Sequence, residues 1–114
     1  MQKPSNQLQV FKAEFFRALA HPIRIRILEI LSVGDRSVQE LQDALQIDQP
    51  LVSQQLAVLR GKNIVVARKL GTTVKYAVRD PLVGDLLKTA RVVFENQLTG
   101  TQTMLRELRR EGRD

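Results

Sequence analysis

Residues 37–61 read SVQELQDALQIDQPLVSQQLAVLRG, and the order of residue types in this stretch decides the fold. Ser37 is a good helix N-cap, and Glu40 three positions later completes a capping box. A helix follows over Val38 to Leu45, apolar at Val38, Leu41 and Leu45. Gln46 to Gln49 make a short polar turn. Pro50 suits a first helical turn and opens another helix that runs to about Arg60, with Gly61 as its stop. On a wheel of 100° per residue, Val52, Leu56 and Leu59 share one face. Pro50, Gln54 and Ala57 lie opposite, flanked by Ser53, with Gln55 near the edge.

Upstream, Leu8, Phe11, Phe15 and Leu19 recur at spacings of three and four and mark an amphipathic helix. His21-Pro22 punctuates it, and the run Ile23 to Leu31 forms a short buried helix that stops at Gly34-Asp35. Residues 1–7, polar and containing Pro4, are expected to be a frayed arm. Downstream the period changes to two. Ile64–Lys69 and Val74–Val78 read as strands joined by Leu70-Gly71-Thr72-Thr73, a hairpin. Asp80-Pro81 then caps a long helix over residues 81–110, apolar at Leu82, Val83, Leu86, Leu87, Ala90, Val93, Phe94 and Leu98. Gly100 is placed to bend or break it, and Met104, Leu105 and Leu108 carry a shorter stripe beyond. The whole chain, residues 1–114, is read as one domain, mainly α with a small β-hairpin, in the order helix, helix, helix, helix, strand, strand, helix.

With 43% hydrophobic residues the chain can bury one modest core. It has no cysteine, which removes disulfides, thiolate nucleophiles and every cysteine-based metal site. No apolar run approaches the roughly 18 residues of a membrane span, so no membrane partner is expected and a cytoplasmic location is. The net charge is +6, unevenly distributed. Arg60, Lys62, Arg68, Lys69, Lys75 and Arg79 fall in one stretch without an acid, whereas Asp35, Glu40, Asp43 and Asp48 face only Arg36 in another. Such segregation points to a polyanion on one side of the molecule.

Two short helices joined by a tight turn and followed by a basic hairpin are the parts of a winged helix-turn-helix. In that arrangement the second helix enters the major groove of double-stranded DNA. Gln49, Ser53, Gln54 and Gln55 are the base-reading candidates, since glutamine can bond bidentately to adenine and serine can donate or accept. Arg60, Lys62, Arg68, Lys69 and Lys75 suit phosphates, or the minor groove from the hairpin tip. Leu8, Phe11, Phe15, Leu86, Ala90, Val93 and Phe94 exceed what so small a core can cover and are candidates for a dimer seam.

The chain also resembles the arsenic-repressor (ArsR) type of bacterial winged-helix regulators. The resemblance rests on Phe16-Arg17-Ala18-Leu19-Ala20-His21-Pro22-Ile23-Arg24-Ile25-Arg26-Ile27-Leu28, on Ser37-Val38-Gln39-Glu40-Leu41, on Val52-Ser53-Gln54-Gln55-Leu56 with Leu59, and on the hairpin Arg68 to Tyr76. It spans about residues 10 to 95. It implies a homodimer built from the first and last helices, acting as a transcriptional regulator, more often a repressor than an activator, whose operator affinity depends on an effector.

Metal sensors of this type carry Cys-x-Cys at the start of the third helix, where this chain has Ser37 and Gln39. Others use Asp-x-His and, ten residues on, His-x-x-Glu or His along the last helix. Asp80 matches, but Leu82, Val93 and Asn96 hold the other places, and neutral leucine and valine cannot coordinate a cation. No cofactor is required. The remaining metal arrangement is a weak nickel or zinc site on His21, with carboxylates or the N-terminal amine. An enzyme is not expected: there is one histidine, Ser53 is followed by glutamines, and all six glycines are isolated. The alternative reading is a winged helix used for protein–protein contact, or a regulator controlled by a co-regulator protein on its last helix.

Overall fold

The structure, a computed structural model, describes residues 6–98 and 101–112. Its elements are α1 (Gln7–Leu19), α2 (Pro22–Val33), α3 (Val38–Leu45), α4 (Gln49–Gly61), β1 (Val65–Leu70), β2 (Thr73–Val78), α5 (Leu82–Gln97) and α6 (Gln102–Glu111). They divide after Pro81 into two compact units.

In the first unit each helix start has a local cause. His21 is the N-cap of α2, its Nδ1 accepting the Ile23 N–H at 3.1 Å, and Pro22 takes the first turn where no donor is missed. The capping box of α3 is present: Glu40 N–H donates to Ser37 Oγ at 3.1 Å and Ser37 N–H donates to Glu40 Oε1 at 2.8 Å. Gln46 closes α3 in the left-handed region at φ 57°, its N–H on the Gln42 carbonyl at 2.8 Å. The chain is thereby turned within three residues into α4, which begins one residue earlier than Pro50 suggests.

Ile27 and Leu28 of α2, Leu41 of α3, Val52, Leu56 and Leu59 of α4 and Val65 of β1 are the large, fully buried side chains. The hairpin is antiparallel, in register from Val65↔Val78 to Leu70↔Thr73. Pairing of Leu70 with Thr73 shortens the four-residue loop expected from sequence to Gly71-Thr72 alone. Gly71, at φ +65°, supplies the left-handed first position that a two-residue turn of this kind needs. A further pairing has no sequence signal: Arg36 and Tyr76 exchange backbone hydrogen bonds of 3.0 and 2.7 Å, tying the α2–α3 connection to β2.

Two expectations need correction at the ends. The arm of residues 1–7 overlaps α1, because Asn6 holds the N-cap position, without a side-chain capping bond, and Gln7 is the first helical residue; residues 1–5 lie outside the described residues. The single helix over 81–110 is two helices, α5 ending at Gln97 and α6 starting from Thr101 as N-cap. Gly100, the expected breaking point, lies outside the described residues. In this second unit Arg91 of α5 donates to the Leu108 carbonyl of α6 and sits 4.0 Å from Glu111. That folds α6 back along α5. Among the described residues no helix is long and apolar enough to cross a membrane.

Candidate nucleic-acid interface

The outer surface of α4 follows from its buried one. Because Val52, Leu56 and Leu59 are taken up by the core, Gln49, Pro50, Gln54 and Ala57 are exposed and Ser53 is half-exposed. Gln49 Nε2 donates to Ser53 Oγ at 3.3 Å, so these two are already linked one turn apart. Gln54 has no hydrogen-bond partner among the described residues, leaving its amide oxygen and both N–H donors open to a base edge.

Gln55 must be withdrawn from the base-reading set. It is the buried polar side chain of the described residues, 7% exposed, and its Oε1 accepts from Arg24 Nη1 at 2.8 Å. A side chain held behind the helix cannot reach a groove. The sequence did hold the signal: three residues past Val52, Gln55 lies beside the buried stripe rather than across from it.

The cations of the hairpin and of the α4 end have a different setting. Arg68 Nη1 lies 3.4 Å from Asp35 Oδ2, Lys75 Nζ lies 2.6 Å from Glu40 Oε1, and Lys62 Nζ lies 3.5 Å from Glu14 Oε2. Arg60 sits over the Tyr76 ring at 6.0 Å. Lys69, beside the turn, is exposed and has no ion-pair partner among the described residues. The charge segregation along the sequence is therefore partly compensated in space, because Asp35 of the α2–α3 connection and Glu40 of α3 face Arg68 and Lys75 of the hairpin. Glu40 links two elements: it completes the capping box of α3 and accepts from Lys75 of β2. The Lys75 ammonium, and after it the Ser37 N–H, lower its carboxyl from 4.5 to about 2.

The proposed seam residues separate by exposure. Leu8 and Phe11 of α1 are 60% and 72% exposed, and Val93 and Phe94 of α5 are 46% and 49% exposed. Phe15, Leu86 and Ala90 are half-buried. Phe16, which sequence reasoning left out, is more exposed than Phe15 and packs edge-on against it at 5.6 Å between centroids. His21 has one ring nitrogen committed to its capping bond. Among the described residues no group of three or more His, Cys, Asp or Glu is gathered as a cation site.

The family model for bacterial regulatory proteins of the arsR family matches residues 21–66, which run from the cap of α2 into β1. An HTH-type transcriptional regulator of Mycobacterium tuberculosis, Rv0081, is 43% identical over 109 residues, covering 95% of this chain and 96% of the relative. Its crystal structure superposes with a TM-score of 0.76 at 42% identity, over 88% of this chain and 98% of that one. The biofilm growth-associated repressor of Xylella fastidiosa is 32% identical over 85% of this chain and 82% of its own length. A homodimeric winged helix-turn-helix DNA-binding domain from Mycobacterium bovis gives a TM-score of 0.75 at 29% identity, covering 86% of this chain and 94% of that one.

Proposed function

The chain belongs to the arsR family of bacterial regulatory proteins, and from that premise we propose that it represses transcription by binding an operator as a homodimer, with α4 in the major groove. The observation that carries this reading is the outer face of α4. Gln54 stands exposed and its side chain unpartnered, on the same helix as a linked Gln49–Ser53 pair and with the opposite side of that helix fixed in the core. Glutamine and serine read base edges, whereas Lys69, Arg68, Lys75, Arg60 and Lys62 serve the phosphates. The exposed Leu8, Phe11 and Phe16 on α1 and Val92, Val93 and Phe94 on α5 support the dimer, since a small monomer seldom leaves so many large apolar groups in water.

The test is a gel shift on the promoter of its own gene with excess competitor DNA, repeated with Gln54→Ala. Binding that survives competition in the wild type and loses its base preference in Gln54→Ala is the expected result. Equal loss on specific and random DNA would remove Gln54 as a reader.

For control, of the positions that carry metal donors in relatives of the sensor type this chain matches Asp80, and it has Ser37, Gln39, Leu82, Val93 and Asn96 at the others. A nickel or zinc ion bound here would have to use nitrogen and oxygen donors, with the free nitrogen of His21 as the one imidazole ligand per chain. Such binding is expected to be micromolar or weaker, since it lacks thiolates. Calorimetry on wild type and His21→Ala measures it, and nanomolar affinity would overturn the assignment.

A further inference from the structure

Arg24 and Gln55 are two polar residues of the first unit whose side chains are turned away from the DNA-facing surface yet join separate helices. Arg24 stands in the first turn of α2 and is half-buried. Its Nε donates to the Ala18 carbonyl at 2.6 Å, its Nη2 to the Arg17 carbonyl at 3.4 Å and its Nη1 to Gln55 Oε1 at 2.8 Å. Arg17 and Ala18 belong to the last turn of α1, where a cation is favoured; the Arg17 carbonyl also accepts the Ala20 N–H at 3.1 Å. No carboxylate is bonded to Arg24 among the described residues, so its charge rests wholly on neutral oxygens. Bonds of that kind are charge-assisted and directional. The forked guanidinium thus reads three oxygens at once, two on α1 and one on α4, which a lysine could not do.

We propose that Arg24 and Gln55 form a positioning strut that sets the rotation of α4 about its own axis from the end of α1, and thereby sets the base preference of Gln54 and Ser53. The proposal rests on the reading of α4 as the DNA-reading helix. Gln55 is the neighbour of Gln54 on the same helix, so an anchor on one fixes the bearing of the other. A helix carries its side-chain tips about 5–6 Å from its axis, and a rotation of about 10° moves them by about 1 Å. That is enough to turn a bidentate base contact into a poor one. Apolar packing of Val52, Leu56 and Leu59 resists separation of α4 from the core but is less selective about small rotations, because dispersion is not directional. The bond from Arg24 is directional. It also runs to α1, so any displacement of the end of α1 reaches the reading helix through one side chain.

The experiment uses the full chain and a duplex selected by the wild-type protein from a random-sequence library, with a scrambled duplex of equal length as the second probe. Gln55→Leu keeps the bulk and apolar stem of the side chain but removes the acceptor. Operator affinity is expected to fall by about tenfold or more while affinity for the scrambled duplex and the salt slope stay within about twofold. Gln55→Glu, which keeps an acceptor for Arg24, should retain the selected sequence preference, and Arg24→Lys should lose it as Gln55→Leu does. Arg24→Lys combined with Gln55→Leu should be no worse than either change alone. Additive losses, a Gln55→Leu protein that still prefers the selected duplex, or a parallel drop on both duplexes would overturn the strut. A Gln55→Leu protein that does not fold would place the bond in stability rather than reading and overturn it too, unless Gln55→Glu and Arg24→Lys, both folded, separate as stated. Failure of the wild type to enrich any sequence would instead overturn the reading of α4, and the strut with it.

Discussion

The two regions proposed to meet DNA are built in opposite ways. Behind α4 lie Val52 and Leu59 at 0% exposure, Leu56 at 2% and the bonded Gln55. At the far end of the hairpin Leu70 and Val74 are 59% and 41% exposed, and the buried residues of this region, Ile64, Val65 and Ala77, lie at its opposite end. The cations also differ from the readers. Gln54 is kept free of internal partners, whereas Arg68, Lys75 and Lys62 are each held near a carboxylate. Base reading depends on angle and needs a fixed platform. Phosphate contact depends mostly on charge and tolerates a looser element.

The largest expected effect breaks the platform itself. Leu56→Ala empties a fully packed site and should cost about 2–5 kcal/mol of stability in urea unfolding at fixed protein concentration. Leu70→Ala at the hairpin end should stay within about 0.5 kcal/mol. Similar costs at the two positions would mean that the hairpin tip is as tightly built as α4. Next in size is Gln54→Ala, expected to cost about 1–3 kcal/mol on the operator with relaxed preference at one base position, measured by anisotropy on single-base operator variants.

Within the hairpin the comparison can be sharpened by charge. Lys69→Ala should weaken binding to all sequences alike and lower the salt slope by about 0.9, the value for one phosphate left without its cation. Lys75→Ala should lower it by less, because Glu40 already offsets that ammonium. Glu40→Gln removes the offset while keeping the capping box, since glutamine can fill the same place. It should tighten binding to random DNA. Looser binding by Glu40→Gln would show that the ion pair orients Lys75 for phosphate rather than occupying it.

Much of this is legible in the sequence because it is local. The capping box at Ser37 and Glu40, the stripe of Val52, Leu56 and Leu59, and Gly71 in its turn are each decided within a few residues. What cannot be read there depends on residues distant in the chain. The wheel can put Gln55 beside the buried stripe, but it cannot name what Gln55 bonds there, because Arg24 stands 31 positions away. The acids at 35 and 40 and the cations at 68 and 75 look like separate faces until the Arg36–Tyr76 pairing brings the two stretches together. A single bridge of that kind leaves no periodicity to find. The terminal helix reads as one piece because the apolar stripe continues through Leu98 to Leu108, and a stripe does not show that the chain has turned back on itself.

The smallest expected effect concerns pH, and it tests whether Glu40 belongs with the rigid platform or with the exchangeable charges. The Lys75 ammonium, followed by the Ser37 N–H, holds its carboxyl at about 2 in the folded protein, below the ordinary 4.5. A depressed folded value means that the unfolded chain takes up the proton first as pH falls. The stabilisation is therefore complete above 4.5 and is lost progressively as pH drops from there toward 2. The melting temperature of wild type should exceed that of Glu40→Gln by a small constant margin near neutrality, and the margin should close through that acidic window. Because the carboxylate is exposed, added salt should also narrow the margin at neutral pH. Salt would leave the Ser37 bond in place, so a margin that responds to acid but not to salt would assign the effect of the charge to the stronger capping bond that a carboxylate accepts relative to glutamine. A margin that vanishes with salt alone would assign it to Lys75, and so to the same exchange of charge by which the hairpin is proposed to meet phosphate.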